Sequence, residues 1–235
     1  MSVKVVLFDL DATLLPMDQD AFVTAYFETL TKKLVSCGYD RKVAMDAVWN
    51  GVVDMMKNDG QRTNEEAFWN RFESIYGKIS QKDLLVFDEF YDNDFDSIRE
   101  LCGFDPSASK VVRELKNKGY RVVLATNPVF PFVATKKRIE WAGLSACDFE
   151  YITTYENSTY SKPHVNYYTE ILKAIGADAS ECLMVGNDTR DDMVAESLGM
   201  KVFLATKCLI NKENKDISVY PRGDLEDLVE FIKTI

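Results

Sequence analysis

Five short apolar runs, each rich in β-branched residues, constrain the fold of this 235-residue chain more than any other feature. They cover residues 3–10, 121–126, 149–154, 181–186 and 202–206. Runs that are this short and apolar almost throughout are typical of strands buried on both faces, as in a parallel sheet. The chain therefore favours a sheet that is covered on both sides.

Segments with helical character separate the later runs and follow the last one. They cover residues 107–118, 133–142, 165–175, 189–198 and 224–233. A glycine follows each of the first four, at a position where glycine commonly ends a helix: Gly119, Gly143, Gly176 and Gly199. Strands that alternate with helices predict an α/β fold, a Rossmann-like doubly wound parallel sheet whose ligands collect at the carboxyl ends of the strands.

Residues 17–100 depart from this alternation and show helical periodicity alone. Thr63 and Glu66 have the spacing of a capping box at the start of one helix. We therefore predict an inserted all-helical cap domain over residues 17–100, and an α/β catalytic core formed by residues 1–16 and 101–235. The apolar positions that define four helices are Val23, Phe27, Leu30 and Leu34; Met45, Val48, Val52 and Met55; Phe68, Phe72 and Ile75; and Leu84, Phe87 and Phe90.

Composition excludes several classes of function. The net charge of −10, without a long basic run, argues against nucleic acid and anionic membranes as partners. No apolar run approaches the ~20 residues that cross a bilayer, and the cysteines form no C-x-x-C pair, so we expect a cytoplasmic protein. His164 is the only histidine, which excludes a multi-histidine zinc site and a two-histidine phosphoryl relay.

The first apolar run leads directly into two acids, Asp9 and Asp11. Residues two apart in an extended chain point the same way, so both carboxylates leave the sheet on one side. Two unit charges ~4 Å apart repel each other by about 4 kcal/mol at an effective dielectric constant near 20. The pair therefore favours a bound cation or proton, although a turn that caps the next helix is an alternative.

Polar residues with complementary chemistry follow the next three strands. They are Thr126 and Asn127 after the second, Lys162 after the third, and Asn187, Asp188, Asp191 and Asp192 after the fourth. The oxygen ligands favour Mg²⁺, which binds proteins through one or two carboxylates, water and a substrate phosphate. Thr126 and Asn127 would hold phosphoryl oxygens, while Lys162 would offset the charge of the acids. The pattern indicates magnesium-assisted phosphoryl transfer.

The same residues resemble the motifs of the haloacid dehalogenase superfamily: D-x-D-x-T, a Thr or Ser after the next strand, a Lys, and an acidic loop after V-G. The resemblance implies that Asp9 is the nucleophile and forms an aspartyl-phosphate. It implies that Asp11 protonates the leaving oxygen, then activates water, and offers its backbone carbonyl to the metal. The helical insert resembles the α-helical cap of this family, which closes over the site and selects substrates.

Two positions depart from the family pattern. Ala12 stands where glycine is common, and Asn187 stands where the family usually has a metal-binding Asp. We expect Asp9, Asp11 and Asp188 to hold the metal, with Asn187 as an alternative or joint ligand and Asp192 as support.

The expected function is hydrolysis of a small phosphomonoester, such as a sugar phosphate or nucleotide, by a monomer or homodimer. A phosphomutase of the same superfamily remains an alternative, because it shares these core residues. A receiver-like phospho-accepting switch is a second alternative, although its ~120 residues leave no room for the insert. The presence of Asp11 argues against a dehalogenase, which usually lacks the second Asp, and against a phosphonate hydrolase.

Overall fold

The computed structural model describes residues 2–235 and confirms the predicted fold class; Met1, the first residue of the predicted core, lies outside this range. Within it, six parallel strands form one sheet in the order β3-β2-β1-β4-β5-β6. The strands are β1 (Val5–Phe8), β2 (Arg121–Leu124), β3 (Tyr151–Ile152), β4 (Cys182–Gly186), β5 (Lys201–Ala205) and β6 (Arg222–Gly223).

Side chains that alternate along β1 are buried on opposite faces of the sheet, as the strand period of two requires. Val6 and Phe8 pack into a core that continues into the region between β1 and β2. Val5 and Leu7 pack into a second core on the other face. The strands are therefore buried on both sides, as their apolar runs predict.

The helices fall into two groups along the chain. Those between β1 and β2 are α1 (Gln19–Ser36), α2 (Arg41–Met56), α3 (Asn64–Tyr76) and α4 (Gln81–Glu89), followed by π-helical residues Phe90–Asp94 and a 3₁₀ segment Phe95–Leu101. Those that flank the sheet are α5 (Pro106–Asn117), α6 (Phe132–Trp141), α7 (Val165–Ile175) and α8 (Leu225–Ile232). We call the first group the helical insert; its boundaries as a domain remain a prediction.

Local capping signals in the sequence agree with the structure. The side chain of Thr63 accepts from the backbone N–H of Glu66 at 3.1 Å, and Glu66 accepts in return from the N–H of Thr63 at 2.9 Å. Gly143 and Gly176, which follow α6 and α7, have φ of 75° and 61°. Glycine reaches this left-handed region without the steric penalty that other residues meet.

Three details of the prediction are wrong. Val23 is 43% exposed, because the buried face of α1 passes through Phe22 and Tyr26 before it reaches Leu30 and Leu34. The helix expected over residues 189–198 is only a 3₁₀ segment, Met193–Leu198. In the turn before that segment, the side chain of Asp188 accepts from the backbone N–H groups of Arg190 and Asp191. The sixth strand, β6, is too short to produce a detectable pattern.

Among the described residues, no helix is both long enough and apolar enough to span a bilayer.

Candidate active site

The register of the sheet places Asp9 at the centre of its carboxyl edge. Phe8 pairs with Leu124 of β2 and with Val185 of β4, so Asp9 emerges between the residues that follow these two strands. The chain then turns sharply, with Ala12 at φ 62°. This left-handed conformation is the physical reason why glycine suits the position occupied by Ala12.

The ammonium group of Lys162 joins two carboxylates inside the protein. Its Nζ lies 2.8 Å from Oδ1 of Asp9 and 2.6 Å from Oδ1 of Asp192, and all three residues are buried. Burial alone would lower the pKa of Lys162, but Asp192 and Asp9 outweigh it and hold that pKa well above its ordinary value. Lys162 is therefore a permanent positive charge beside Asp9.

Burial affects the carboxyl groups in the opposite direction. It raises the pKa of Asp192 to about 6, although the adjacent ammonium group of Lys162 acts against it. It also raises the pKa of Asp9, again against the effect of Lys162. Two buried carboxylates that share one ammonium group carry a net charge of −1, so the site retains an attraction for cations.

The hydroxyl of Thr13 connects Asp9 to the loop after β4. It lies 3.1 Å from Oδ2 of Asp9 and 3.0 Å from Oδ1 of Asn187. The Asn187 amide is held in place from its other end, because Nδ2 donates to the carbonyl oxygen of Cys208 at 2.8 Å. The structure thus brings the amide oxygen of Asn187 next to Asp9.

Unlike Asn187, Asp188 forms hydrogen bonds with the backbone of its own turn. Its Oδ1 accepts from the backbone N–H groups of Arg190 at 2.7 Å and Asp191 at 3.0 Å. A side chain that bonds its own turn in this way competes with helix formation, which accounts for the late start of the 3₁₀ segment. The loop is also fixed by Asp192, whose Oδ2 accepts from the N–H of Asp188 at 2.9 Å.

Asp11 forms an ion pair with Arg138 of α6, whose side chain is completely buried. Arg138 pairs with Oδ2 of Asp11, whereas Oδ1 is buried without a hydrogen-bond partner in the described part of the chain. The backbone carbonyl of Asp11 accepts from Nε2 of Gln19 at 3.3 Å. The two carboxylate oxygens of Asp11 therefore differ, because only Oδ2 has a partner among the described residues.

Thr126 and Asn127 follow β2 on the other side of Asp9. The amide oxygen of Asn127 accepts from the backbone N–H of Lys162 at 3.3 Å, and its Nδ2 lies 3.6 Å from the sulfur of Met56 in the insert. The carbonyl of Thr126 accepts from the hydroxyls of Thr153 and Tyr167, each at 2.7 Å. Its own hydroxyl donates to no acceptor within residues 2–235.

Two residues of the site, Thr13 and Arg138, are not identified by the sequence analysis. Thr13 belongs to the D-x-D-x-T motif, but its role as a bridge depends on the loop after β4. Arg138 had a signal in the sequence. It lies four residues after Ala134 and one before Ile139, on the apolar face of a predicted helix, where a buried charge needs a partner.

The chemistry of the donors fits a magnesium ion. The carboxylate of Asp9, the carbonyl of Asp11 and the amide oxygen of Asn187 are all oxygen donors from adjacent segments. Over residues 2–235, no group of three or more His, Cys, Asp or Glu side chains is arranged to enclose a metal. Mg²⁺ does not require such a cage, because it keeps several waters and uses one or two carboxylates with a substrate phosphate.

Comparison with known proteins places this site in a family. The family profile of haloacid dehalogenase-like hydrolases matches residues 3–199. A glyceraldehyde 3-phosphate phosphatase of Pyrococcus abyssi is 26% identical over 206 residues, which cover 85% of this chain and 79% of the relative.

Two solved structures share the fold over almost their whole length. A 2-haloacid dehalogenase from Pseudomonas syringae has a TM-score of 0.67 at 20% identity, with 99% of each chain covered. The hydrolase YfnB from Bacillus subtilis, bound to magnesium and described as revealing interdomain movement, has a TM-score of 0.57 at 19% identity, with 99% of this chain and 100% of that chain covered. By its profile match, its fold and its motif residues, the chain belongs to the haloacid dehalogenase-like hydrolases.

Proposed function

We propose that this protein is a magnesium-dependent phosphatase that hydrolyses small phosphomonoesters in the cytoplasm. The observation that carries the proposal is the contact of Lys162 with Asp9 at the carboxyl end of β1. A buried carboxylate beside a fixed positive charge supports a role for Asp9 as the nucleophile, because a phosphoryl group would need both. Phosphatase activity in a relative such as the Pyrococcus protein supports the same reaction.

In the proposed reaction, a carboxylate oxygen of Asp9 attacks phosphorus, and the bond from phosphorus to the leaving oxygen breaks. Asp11 gives a proton to that oxygen as it leaves. A water molecule then attacks the aspartyl-phosphate, Asp11 takes its proton, and inorganic phosphate departs from Asp9. Because Arg138 pairs with Oδ2 of Asp11, the proton is assigned to the unpartnered Oδ1.

The remaining residues hold the phosphoryl group and its charge. Lys162 stabilises the charge that develops on the phosphoryl oxygens, and Thr126 offers a hydroxyl that has no acceptor within the described chain. The Asn127 amide and backbone N–H groups near the start of the next helix would contribute further donors. These groups are held in place by neighbouring loops, so they need to move little as charge develops during the reaction.

The proposed metal ligands are the carboxylate of Asp9, the carbonyl oxygen of Asp11 and the amide oxygen of Asn187, with Asp188 as the alternative ligand. When bound, Mg²⁺ would neutralise negative charge on the phosphate and lower the barrier to attack. Asp9, Asp192 and Lys162 sum to a charge of −1, and a phosphate dianion would make this −3. A divalent cation would return the site to −1, which supports the proposed requirement for Mg²⁺.

Sustained turnover of p-nitrophenyl phosphate with Mg²⁺, measured as release of inorganic phosphate, tests this function. A phosphatase releases many phosphates per protein, whereas a receiver-like switch releases one at most. A phosphomutase would instead move the phosphoryl group within a sugar phosphate, with little free phosphate. Turnover of 2-haloacids without metal would favour a dehalogenase and contradict the proposal.

A further inference from the structure

A cavity of about 210 Å³ lies between the helical insert and the loop that follows β2. The insert contributes most of its walls, from α1, α2, α3, α4 and the π-helical residues that follow, while the core contributes Val129, Pro131, Val133 and Tyr155. Aromatic side chains dominate the lining: Tyr26, Phe68, Trp69, Phe87, Tyr91 and Tyr155. No residue with an assigned role at the catalytic site lines this cavity.

The aromatic rings are fixed by contacts with one another. The ring centroids of Trp69 lie 5.0 Å from those of both Phe68 and Phe87, with interplanar angles of 84° and 79°. The hydroxyls of Tyr26 and Tyr91 are hydrogen-bonded to each other at 2.9 Å. Burial raises the pKa of Tyr26 to about 12, so its phenol stays neutral. The cavity therefore has a rigid aromatic lining.

The charge of the cavity has one sign. Glu65 and Asp88 line it, and within residues 2–235 no lysine, arginine or histidine does so. Burial and the nearby carboxylate of Glu156 raise the pKa of Glu65. Glu156 is itself incompletely paired, since its Oε2 is buried without a hydrogen-bond partner in the described chain. A positive ligand would relieve this accumulation of negative charge.

The aromatic walls and the negative charge of Glu65 and the exposed Asp88 together favour one ligand chemistry. The two carboxylates disfavour an anion, and the mainly apolar and aromatic walls offer few of the oxygen ligands that a bare metal ion prefers. An organic cation satisfies both features, because ring faces attract ammonium groups and carboxylates neutralise them. The volume equals that of about seven liquid waters, which suits a group of a few heavy atoms. We propose that this cavity binds an organic ammonium group.

The position of the cavity suggests two sources for this group. Val129 lies two residues beyond Asn127, and Met55 lines the cavity beside Met56, which contacts Asn127. The ammonium group therefore belongs either to a free amine or to the alcohol half of a phosphate ester held at Asp9. The second source rests on the proposed phosphatase function, whereas binding of a free amine does not.

Isothermal titration calorimetry with choline tests the binding itself. We expect the wild-type protein to bind choline at least about tenfold more tightly than neohexanol, the uncharged carbon isostere. Glu65→Gln should weaken choline binding roughly tenfold, because it removes the carboxylate and keeps the size of the side chain. Glu66→Gln is the matched control: it removes the same charge one residue away, and glutamine preserves the capping box.

Equal binding of choline and neohexanol, or no binding of either, would overturn the proposal without any variant. An equal loss of choline affinity in Glu65→Gln and Glu66→Gln would also overturn it, since the effect would then be general electrostatics. If choline binds, phosphatase assays then identify the source of the ammonium group. Preferential hydrolysis of phosphocholine over neohexyl phosphate would show that the group belongs to the substrate. Hydrolysis of neither ester would show that the cavity binds a free amine. Failure of all phosphatase assays leaves the binding result intact.

Discussion

Arg138 and Asp11 form an ion pair in which the arginine is completely buried and the aspartate is partly exposed. The guanidinium group of Arg138 packs against the face of the Phe130 ring, and its Cζ atom lies 4.4 Å from the ring centroid. Its Nη2 also lies 3.2 Å from the hydroxyl of Thr135. A charge in such a place is stable only while its partner is present. The pair therefore fixes the direction of the Asp11 carboxylate relative to Asp9.

Arg138→Gln should lower the free energy of unfolding by about 2–3 kcal/mol, because it breaks the ion pair with Asp11. This value is at the lower end of the range for buried pairs, since Asp11 is partly exposed and water can solvate it. Urea denaturation measures this change. Arg113→Gln, on the exposed face of α5, removes the same charge and should change stability by less than about 0.5 kcal/mol. Equal effects of the two substitutions would show that the ion pair contributes nothing specific.

Asp9→Asn should abolish phosphatase turnover and leave the fold intact. An amide of the same shape cannot attack phosphorus, so we expect a loss of at least about a thousandfold in kcat. Lys162 keeps Asp192 as its partner, so circular dichroism and Tm should change little. Retention of more than a few per cent of the activity would show that Asp9 is not the nucleophile.

Much of the architecture could be predicted because it depends on local patterns. Apolar runs and helix-ending glycines determine the alternation of strands and helices, and the capping box of Thr63 and Glu66 involves residues three apart. Helix faces are less certain: Val23 fits the apolar stripe of α1, but the insert packs through Phe22 and Tyr26 instead. That choice depends on neighbouring helices, which a local pattern does not contain.

The site shows the same division between local and distant information. The strand ends predict that Asp9, Lys162 and the loop after β4 meet, because parallel strands share a carboxyl edge. The hydroxyl of Thr13, which contacts Asp9, also contacts Asn187 at a distance of 174 positions along the chain, and no spacing rule gives that contact. Whether Asn187 or Asp188 faces the metal likewise depends on how the loop bonds its own backbone.

Removal of Mg²⁺ with EDTA should stop activity, and its return should restore it. Mg²⁺ should also raise the Tm of the wild-type protein, because binding to the folded state stabilises it. The Tm increase should be much smaller in Asp9→Asn, which lacks the carboxylate ligand. Ca²⁺ should bind but support little turnover, since its larger and looser shell misplaces nucleophile and phosphate. Full activity in excess chelator would contradict the proposed function.

Stability should depend on pH through Asp105, which begins α5 where the chain returns from the insert. Burial alone would raise the pKa of Asp105, but hydrogen bonds from Lys207, at 2.8 Å, and Ser107 outweigh it and place the pKa below 3.8. The stabilisation is therefore present above the ordinary pKa and is lost as the pH falls through the lower folded value.

Asp105→Asn isolates this contribution, because asparagine still caps the helix but carries no charge. We expect the variant to be less stable than wild type by about 1 kcal/mol near neutral pH, and the difference to disappear once the pH has fallen through the lowered folded pKa. Urea denaturation of both proteins across this range measures the difference. A difference that persists at acid pH would mean that size or packing, and not the carboxylate, is responsible.

Asn64 joins the insert to two of the loops at the candidate active site. It is completely buried, and its Nδ2 lies 3.0 Å from the carbonyl oxygen of Pro128 and 3.3 Å from the hydroxyl of Ser161. Pro128 follows Asn127, and Ser161 precedes Lys162. One amide group, on the first residue of α3, therefore contacts both the loop after β2 and the loop that carries Lys162.

Asn64→Ala should lower kcat/KM for p-nitrophenyl phosphate about tenfold or more, because small displacements of positioned groups reduce the rate strongly. It should also cost about 2 kcal/mol of stability, since buried acceptors lose their donor. Asn70→Ala, on the exposed face of the same helix, should leave both quantities unchanged. If Asn64→Ala loses stability but keeps wild-type kinetics, the contact serves only packing. A kinetic loss in the folded variant, absent in the control, shows that the insert positions the catalytic residues.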